Sequence, residues 1–150
     1  FAFSRTLPGG WQARLTGSAQ YSHSPLVGSE QFALTGATLV RGFDERAVAA
    51  DSGVVLNAEI YTPDLAPRAG IPGEWRMLAL FDAGHGSNQR TAGTAVPGSV
   101  NVSSIGFGTR YAWSRDFNLR LDVARVLDAG TSTSDRRGDW RAQFLAVLAY

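Results

Sequence analysis

Two residues of this chain carry charge where charge is costly. Arg41 stands in Leu39-Val40-Arg41-Gly42-Phe43-Asp44-Glu45, where an apolar run gives way to a polar one. Asp82 stands alone in the apolar run Leu80-Phe81-Asp82-Ala83-Gly84. A carboxylate beside Leu78 and Leu80 is expensive to bury unless it is paired. An arginine suits it, because the guanidinium fork meets a carboxylate in bidentate fashion and keeps its charge at any working pH. Gly42 lets the chain turn sharply and approach a wall closely. The expected chemistry is an ion pair that fixes geometry, with no reaction attached. The rival reading makes Asp82 a turn residue ahead of Gly84 and leaves Arg41 solvated in a loop.

Reactive groups are sparse. His85 and Ser87 lie close to Asp82 in sequence and permit a Ser-His-Asp arrangement on paper, but no Gly-x-Ser-x-Gly elbow accompanies them. Asp44, Glu45 and Asp51 lack the ligand spacing of a calcium loop. Gly84-His85-Gly86 lacks the lysine of a phosphate loop. Arg136-Arg137 reads as an exposed pair in a loop, with lipopolysaccharide as a second reading.

The elements that must position Arg41 and Asp82 are strands. The chain has 150 residues, one domain or part of one, and a net charge of +1. All its cations are arginine, and there is no cysteine, so thiolate chemistry and disulfides are excluded. No basic excess points to nucleic acid. The 17 glycines, spread among many Thr, Ser, Val and aromatic residues, favour strands and turns. No apolar run approaches the roughly 18 residues of a membrane helix. The opening Phe1-Ala2-Phe3 has no initiator methionine or basic leader, which gives the expectation of a piece of a longer protein.

From Trp11 to Tyr21 the alternation is strict. Trp11, Ala13, Leu15, Gly17, Ala19 and Tyr21 fall on one face, and Gln12, Arg14, Thr16, Ser18 and Gln20 on the other. Ten steps of about 3.3 Å, tilted about 40°, rise roughly 25 Å, the height of the apolar band of an outer-membrane barrel, with an aromatic at each rim. The pattern recurs in Val54 to Tyr61, Ser104 to Trp113 and Phe117 to Ala124, with the charges on the face opposite the apolar set. Charge facing lipid is costly, so the polar face is expected to line the lumen. Arg5 and Arg125 break the rule and are assigned to an interface or a bulge. About eight strands are expected, at 1–6, 11–21, 31–40, 53–61, 76–84, 101–113, 117–126 and 141–150. The short turn Ser114-Arg115-Asp116 is expected to be periplasmic, and the loops 41–52, 85–99 and 128–139 extracellular. Gly106 and Gly108 are expected to mark a bend in the wall or a close approach of a loop. The last strand ends Phe144, Ala146, Leu148, Tyr150, with an aromatic at the terminus, as outer-membrane proteins commonly do.

The order of the short motifs resembles one family. Ser29-Glu30-Gln31-Phe32, Val40-Arg41-Gly42-Phe43, Asp51-Ser52-Gly53 leading into Asn57-Ala58-Glu59, and Phe81-Asp82-Ala83-Gly84 are similar to the haemolysin activator and filamentous haemagglutinin transporters, the TpsB pores of two-partner secretion in the BamA-like superfamily. Ser104 to Gly108 and Leu119 to Ala124 resemble that family's late strands. The resemblance implies an all-β fold, an antiparallel transmembrane β-barrel of sixteen strands in the bacterial outer membrane. Residues 1–150 would form its C-terminal half, preceded by POTRA domains and a plug helix. It implies a pore for a secreted TpsA-type exoprotein (haemolysin or adhesin), no enzyme activity, and no cofactor. The other implied partners are outer-membrane lipid, lipopolysaccharide and the barrel assembly machinery. In the family, the Val-Arg-Gly-aromatic loop folds into the lumen and its arginine meets the aspartate of a Phe-x-Asp-x-Gly strand. Carried over, these are Arg41 and Asp82, framed by Val40, Gly42, Phe43 and Gly84. Leu80 replaces the motif's first aromatic, and Phe81, one place later, is expected to face lipid. The alternatives are a BamA-like assembly factor, a self-contained small barrel acting as adhesin, channel or lipid enzyme, and a soluble β-sandwich.

Overall fold

The computed structural model describes residues 1–89, 97–114 and 116–148. Arg115 and Tyr150, named above in the turn and at the chain's end, lie outside the described residues. The strands are β1 (Ala2–Thr6), β2 (Gln12–Gln20), β3 (Phe32–Ala33), β4 (Ala49–Ala50), β5 (Ser52–Tyr61), β6 (Glu74–Ser87), β7 (Ser99–Trp113), β8 (Phe117–Asp128) and β9 (Trp140–Leu148). Seven of them form one antiparallel sheet in the order β1-β2-β5-β6-β7-β8-β9, an uninterrupted meander. The sheet is not closed: β1 and β9 each pair on one side only.

The expected strand at 31–40 is corrected. Only Phe32 and Ala33 are extended there, paired with Ala49 and Ala50 in a separate two-stranded ladder. The whole segment 21–51 is one connection from β2 to β5, so seven wall strands replace about eight, and the expected loop 41–52 is the last third of a longer one, with Ser52 already in β5. Alternating apolar residues arise wherever one side of a chain is buried, and Phe32 and Leu34 are buried against a wall without belonging to it. The strand ends flanking 7–11, 62–73 and Arg115 lie at one end of the sheet, and those flanking 21–51, the undescribed residues 90–96 and 129–139 at the other. The 62–73 connection shortens its reach with a single helical turn, α1 (Ala66–Ala69).

Alternation sorts the faces as expected. Met77, Phe81, Ile105, Phe107 and Phe144 are exposed on the outer face, while Leu78, Leu80, Asp82, Val102 and Ser104 are buried on the inner one. Phe81 is 46% exposed and Leu80 only 2%. Arg5 and Arg125 belong to the outer face and lie near strand ends. Arg5 is one residue from the end of β1, and Arg125 lies 6.0 Å from the ring centroid of Trp140, its register partner at the start of β9. Both therefore sit close to a rim, where a cation facing lipid costs least.

Segment 21–51 returns over the inner face. Leu34, Val40, Phe43 and Val48 from this loop join Val55, Val100, Val102 and Val126 from the wall in one buried apolar cluster near the long-loop end. The wall makes room with glycine. A Cβ on Gly86 would stand 2.6 Å from Ala50 Cβ and 2.9 Å from Leu34 Cδ1. The inner face is thus apolar toward the long loops and mixed below them, where charged rows adjoin a smaller cluster of Leu78, Leu80 and Ala124.

Candidate functional site

Arg41 sits at the border between those two zones, 2% exposed. Val40 and Phe43 bury their side chains in the apolar cluster and leave the intervening arginine directed at the wall. Gly42 permits this turn. Its φ is +93°, and a Cβ there would lie 3.3 Å from that of Ala124 on β8.

The guanidinium meets Asp82 edge-on. Nε donates to Oδ2 and Nη2 to Oδ1, both at 2.7 Å, and the Arg41 backbone N–H donates to Oδ2 at 3.1 Å. Asp82 is fully buried, on the inner face of β6. Asn57 on β5 adds a donor to Oδ1 at 2.9 Å, and the same amide donates to the loop carbonyl of Leu39 at 2.7 Å. Four donors converge on it, which satisfies the acceptor capacity that a buried carboxylate cannot leave unmet. Gly84 stands two residues on along the same face, where a Cβ would lie 3.2 Å from Val40 Cγ2. The six residues Val40, Arg41, Gly42, Phe43, Asp82 and Gly84 are therefore contiguous in space.

Sequence reasoning paired Arg41 with Asp82 alone; the structure adds a network. Arg41 Nη1 donates to Glu59 Oε1 at 2.6 Å and lies 3.6 Å from Asp122 Oδ2. Tyr61 donates to the other Glu59 oxygen at 2.7 Å. Asp122 receives Arg110 through two bonds, at 2.7 and 3.1 Å, and Arg120 Nε at 2.7 Å. Arg110, Arg120, Glu59 and Asp122 were all visible as charges on the inner faces of their strands. What no residue type discloses is strand register, and register decides which of them meet. A cavity of about 200 Å³ opens beside the network, lined in part by Arg14, Thr16, Thr38, Arg41, Glu59 and Arg120.

The other candidates separate. His85 faces outward, where its Nδ1 is 2.8 Å from Asn101 Oδ1, while Asp82 faces inward, so a triad through them has no geometry. The expected loop 85–99 is shorter, because β6 runs on through Ser87 and β7 starts at Ser99; its residues 90–96 lie outside the described residues. The acidic residues of 44–51 are anchors of the loop. Asp44 pairs with Arg141 on β9, and Glu45 Oε1 accepts the Ala37 N–H at 2.7 Å.

Asp51 and Asp135 fasten the loop's ends outside the wall. Burial pushes the Asp51 carboxyl up, but bonds from the Leu26 N–H, the Gln31 side chain and the Gln89 N–H outweigh it and hold the group below the usual carboxylate range. Asp135 is likewise raised by burial and lowered further by the Asp44 N–H, Ser134, Ser132 and Arg141. A depressed carboxyl contributes stability that is complete above its unfolded pKa and lost as pH falls through the folded one. Hydrogen exchange at Leu26, Gln89 and Asp44, corrected for intrinsic rate, should therefore be flat between about pH 5 and 8 and lose protection only in stronger acid. Loss of protection on going from pH 8 to 5 would contradict this account.

Gly106 and Gly108 answer to the wall and not to the loop. A Cβ at Gly106 would fall 2.2 Å from Val123 O, and one at Gly108 2.2 Å from Asp122 Oδ1, both on the neighbouring β8.

Comparison with known proteins gives the family and the fold. Residues 2–111 match the family model described as haemolysin secretion/activation protein ShlB/FhaC/HecB. The heme/hemopexin transporter protein HuxB of Haemophilus influenzae (strain 86-028NP) is 23% identical over 128 residues, 82% of this chain and 22% of HuxB. The solved structure of CdiB from Acinetobacter baumannii superposes with a TM-score of 0.67 at 25% identity, over 99% of this chain and 26% of that one. The chain thus spans about a quarter of these relatives or less. Its fold is that of part of a transporter barrel wall with a loop folded onto the inner face. The chain belongs to the haemolysin secretion/activation family ShlB/FhaC/HecB, the outer-membrane β-barrel transporters of two-partner secretion.

Proposed function

We propose that residues 1–150 are the C-terminal part of an outer-membrane pore that carries a secreted partner polypeptide of haemolysin or adhesin type out of the cell. The observation behind this reading is the position of loop 21–51. It lies over the inner face and is held there by Arg41 against Asp82 and Glu59, and by Asn57, which donates to the Leu39 carbonyl. A loop so placed sets the width and lining of any path through the complete barrel. The work is mechanical: a polar inner wall offers a hydrated route, and the loop shapes it. Val40, Gly42, Phe43 and Gly84 serve by packing the loop where Arg41 can reach. Outer-leaflet lipid and lipopolysaccharide would surround the exposed Phe81, Phe107 and Phe144 face, and the assembly machinery would act on β9.

The test is secretion by the full-length protein. Arg41→Ala and Asp82→Ala should each reduce export of the partner at least tenfold while the heat-modifiable barrel stays near wild-type abundance, since a truncation at a buried pair costs about 3–5 kcal/mol of loop docking. Normal export by both variants would overturn the mechanism.

A further inference from the structure

We infer that Asp122 is a second positioning residue for the inserted loop, acting through Arg120 and across strand β7. The inference rests on the loop being a working part of the lumen, but its geometry is independent of what the pore carries.

Register sets the problem. On the inner face, Arg76 of β6, Arg110 of β7 and Arg120 of β8 stand directly opposite one another in consecutive strands. Like charges in opposed cross-strand positions repel. Arg76 turns away to Glu74 and to the carbonyls of Thr62 and Gly10. Arg110 and Arg120 are left facing each other, and the next row toward the loop holds Leu78, Gly108 and Asp122. Asp122 takes both cations.

Asp122 reaches them because β7 has no side chain at that row. A Cβ on Gly108 would lie 2.2 Å from Asp122 Oδ1, so the carboxylate occupies the space a side chain there would fill. From that place, Oδ2 also stands 3.6 Å from Arg41 Nη1. The same carboxylate fixes Arg120 by its Nε and leaves Nη2 free to donate to Ala37 O of the loop, at 3.3 Å. Ala37 is four residues before Arg41. The loop is therefore gripped twice: by its own arginine reaching the wall, and by a wall arginine reaching its backbone. Asp122 touches both grips. The charged groups around it are Arg41, Arg110, Arg120 and Glu59, the last 3.9 Å from Arg110. Asp122 is 2% exposed, and its role depends on charge as well as shape.

The experiment uses the full-length protein in lipid nanodiscs, spin-labelled at Thr38 of the loop and Asn118 of the wall, both exposed. The distance distribution between the labels is measured by pulsed electron resonance. Wild type should give one short, narrow distance. Asp122→Asn keeps the size of the side chain and removes its charge. It should lose that single distance to a broader distribution with a longer component, and Arg120→Met should do the same to a smaller degree. A wild-type distribution in a folded Asp122→Asn barrel overturns the inference. If Asp122→Asn does not accumulate as a heat-modifiable barrel, Arg120→Met decides: broadening supports the inference and a wild-type distribution overturns it. Secretion is recorded alongside. A displaced loop with undiminished export would sink the proposed function and leave the positioning role standing.

Discussion

Arg41→Asp and Asp82→Arg, each made alone in the full-length protein, should abolish export, and the double exchange should restore part of it. The single changes do more than delete a contact. Arg41→Asp brings a fourth carboxylate against Glu59, Asp82 and Asp122, in a site where Arg41 is 2% exposed and Asp82 not at all. Asp82→Arg sets two guanidinium groups together and turns the donor of Asn57 toward a cation. Removing one partner of a buried pair costs about 3–5 kcal/mol, and reversing its sign costs more. At about 1.4 kcal/mol per tenfold, docking falls by about three orders of magnitude. The exchanged pair regains one attraction, and the arginine at 82 can still meet Glu59. It regains neither the Asn57 bond nor peace with Asp122, so restoration should be partial. Partner protein in the medium, measured beside barrel abundance in the membrane, reads the result. Unimpaired export by both single variants would refute a working role for the pair. Failure of the double variant as well would show that the residues matter without showing that their contact does.

Gly42→Val should be nearly as damaging, for a reason that involves no charge. The residue holds φ at +93°, where a β-branched side chain is strongly strained. The new methyl groups would also press on Ala124, whose Cβ stands 3.3 Å from the position of a Cβ at Gly42 and whose carbonyl oxygen is at 3.4 Å. Neither obstacle yields, because Ala124 belongs to the backbone-paired centre of β8. The loop can relieve the strain only by moving Arg41 away from Asp82. Export should drop about as far as in Arg41→Ala, with the barrel still assembled, since strain of about 1–3 kcal/mol adds to the overpacking. Gly42→Ala should be milder. If Gly42→Val exports normally, the loop does not need the fold seen here.

The site was legible in part. Arg41 and Asp82 announced themselves because each broke a local pattern: a cation after an apolar run, and a carboxylate inside one. The wall strands were legible from alternation, and their bounds moved by a few residues at most: β6 gained Glu74, Trp75 and residues through Ser87, while β9 is described from Trp140 to Leu148. The error at 31–40 has a physical source. Phe32, Leu34 and Val40 are apolar because they dock on Val55, Val100 and Val102, and a docked loop and a wall strand present the same requirement to the sequence. Glu59, Asn57 and Asp122 went unassigned as partners of the pair. They come from strands whose mutual register depends on turns and twist, which period-two patterning does not encode.

The division of the loop's contacts into a buried valine-rich patch and an ion pair buried between Arg41 and Asp82 has a consequence for its response to conditions. The valine patch is fastened by water's preference for itself, which weakens on cooling. The ion pair is fastened by Coulomb attraction at side chains almost wholly out of solvent, where dissolved salt screens little. The same loop is thus secured by an entropic catch and an electrostatic one that answer to different variables. Chilling should loosen the end near Leu34 and Val48 while Arg41 stays bound, and salt should release neither.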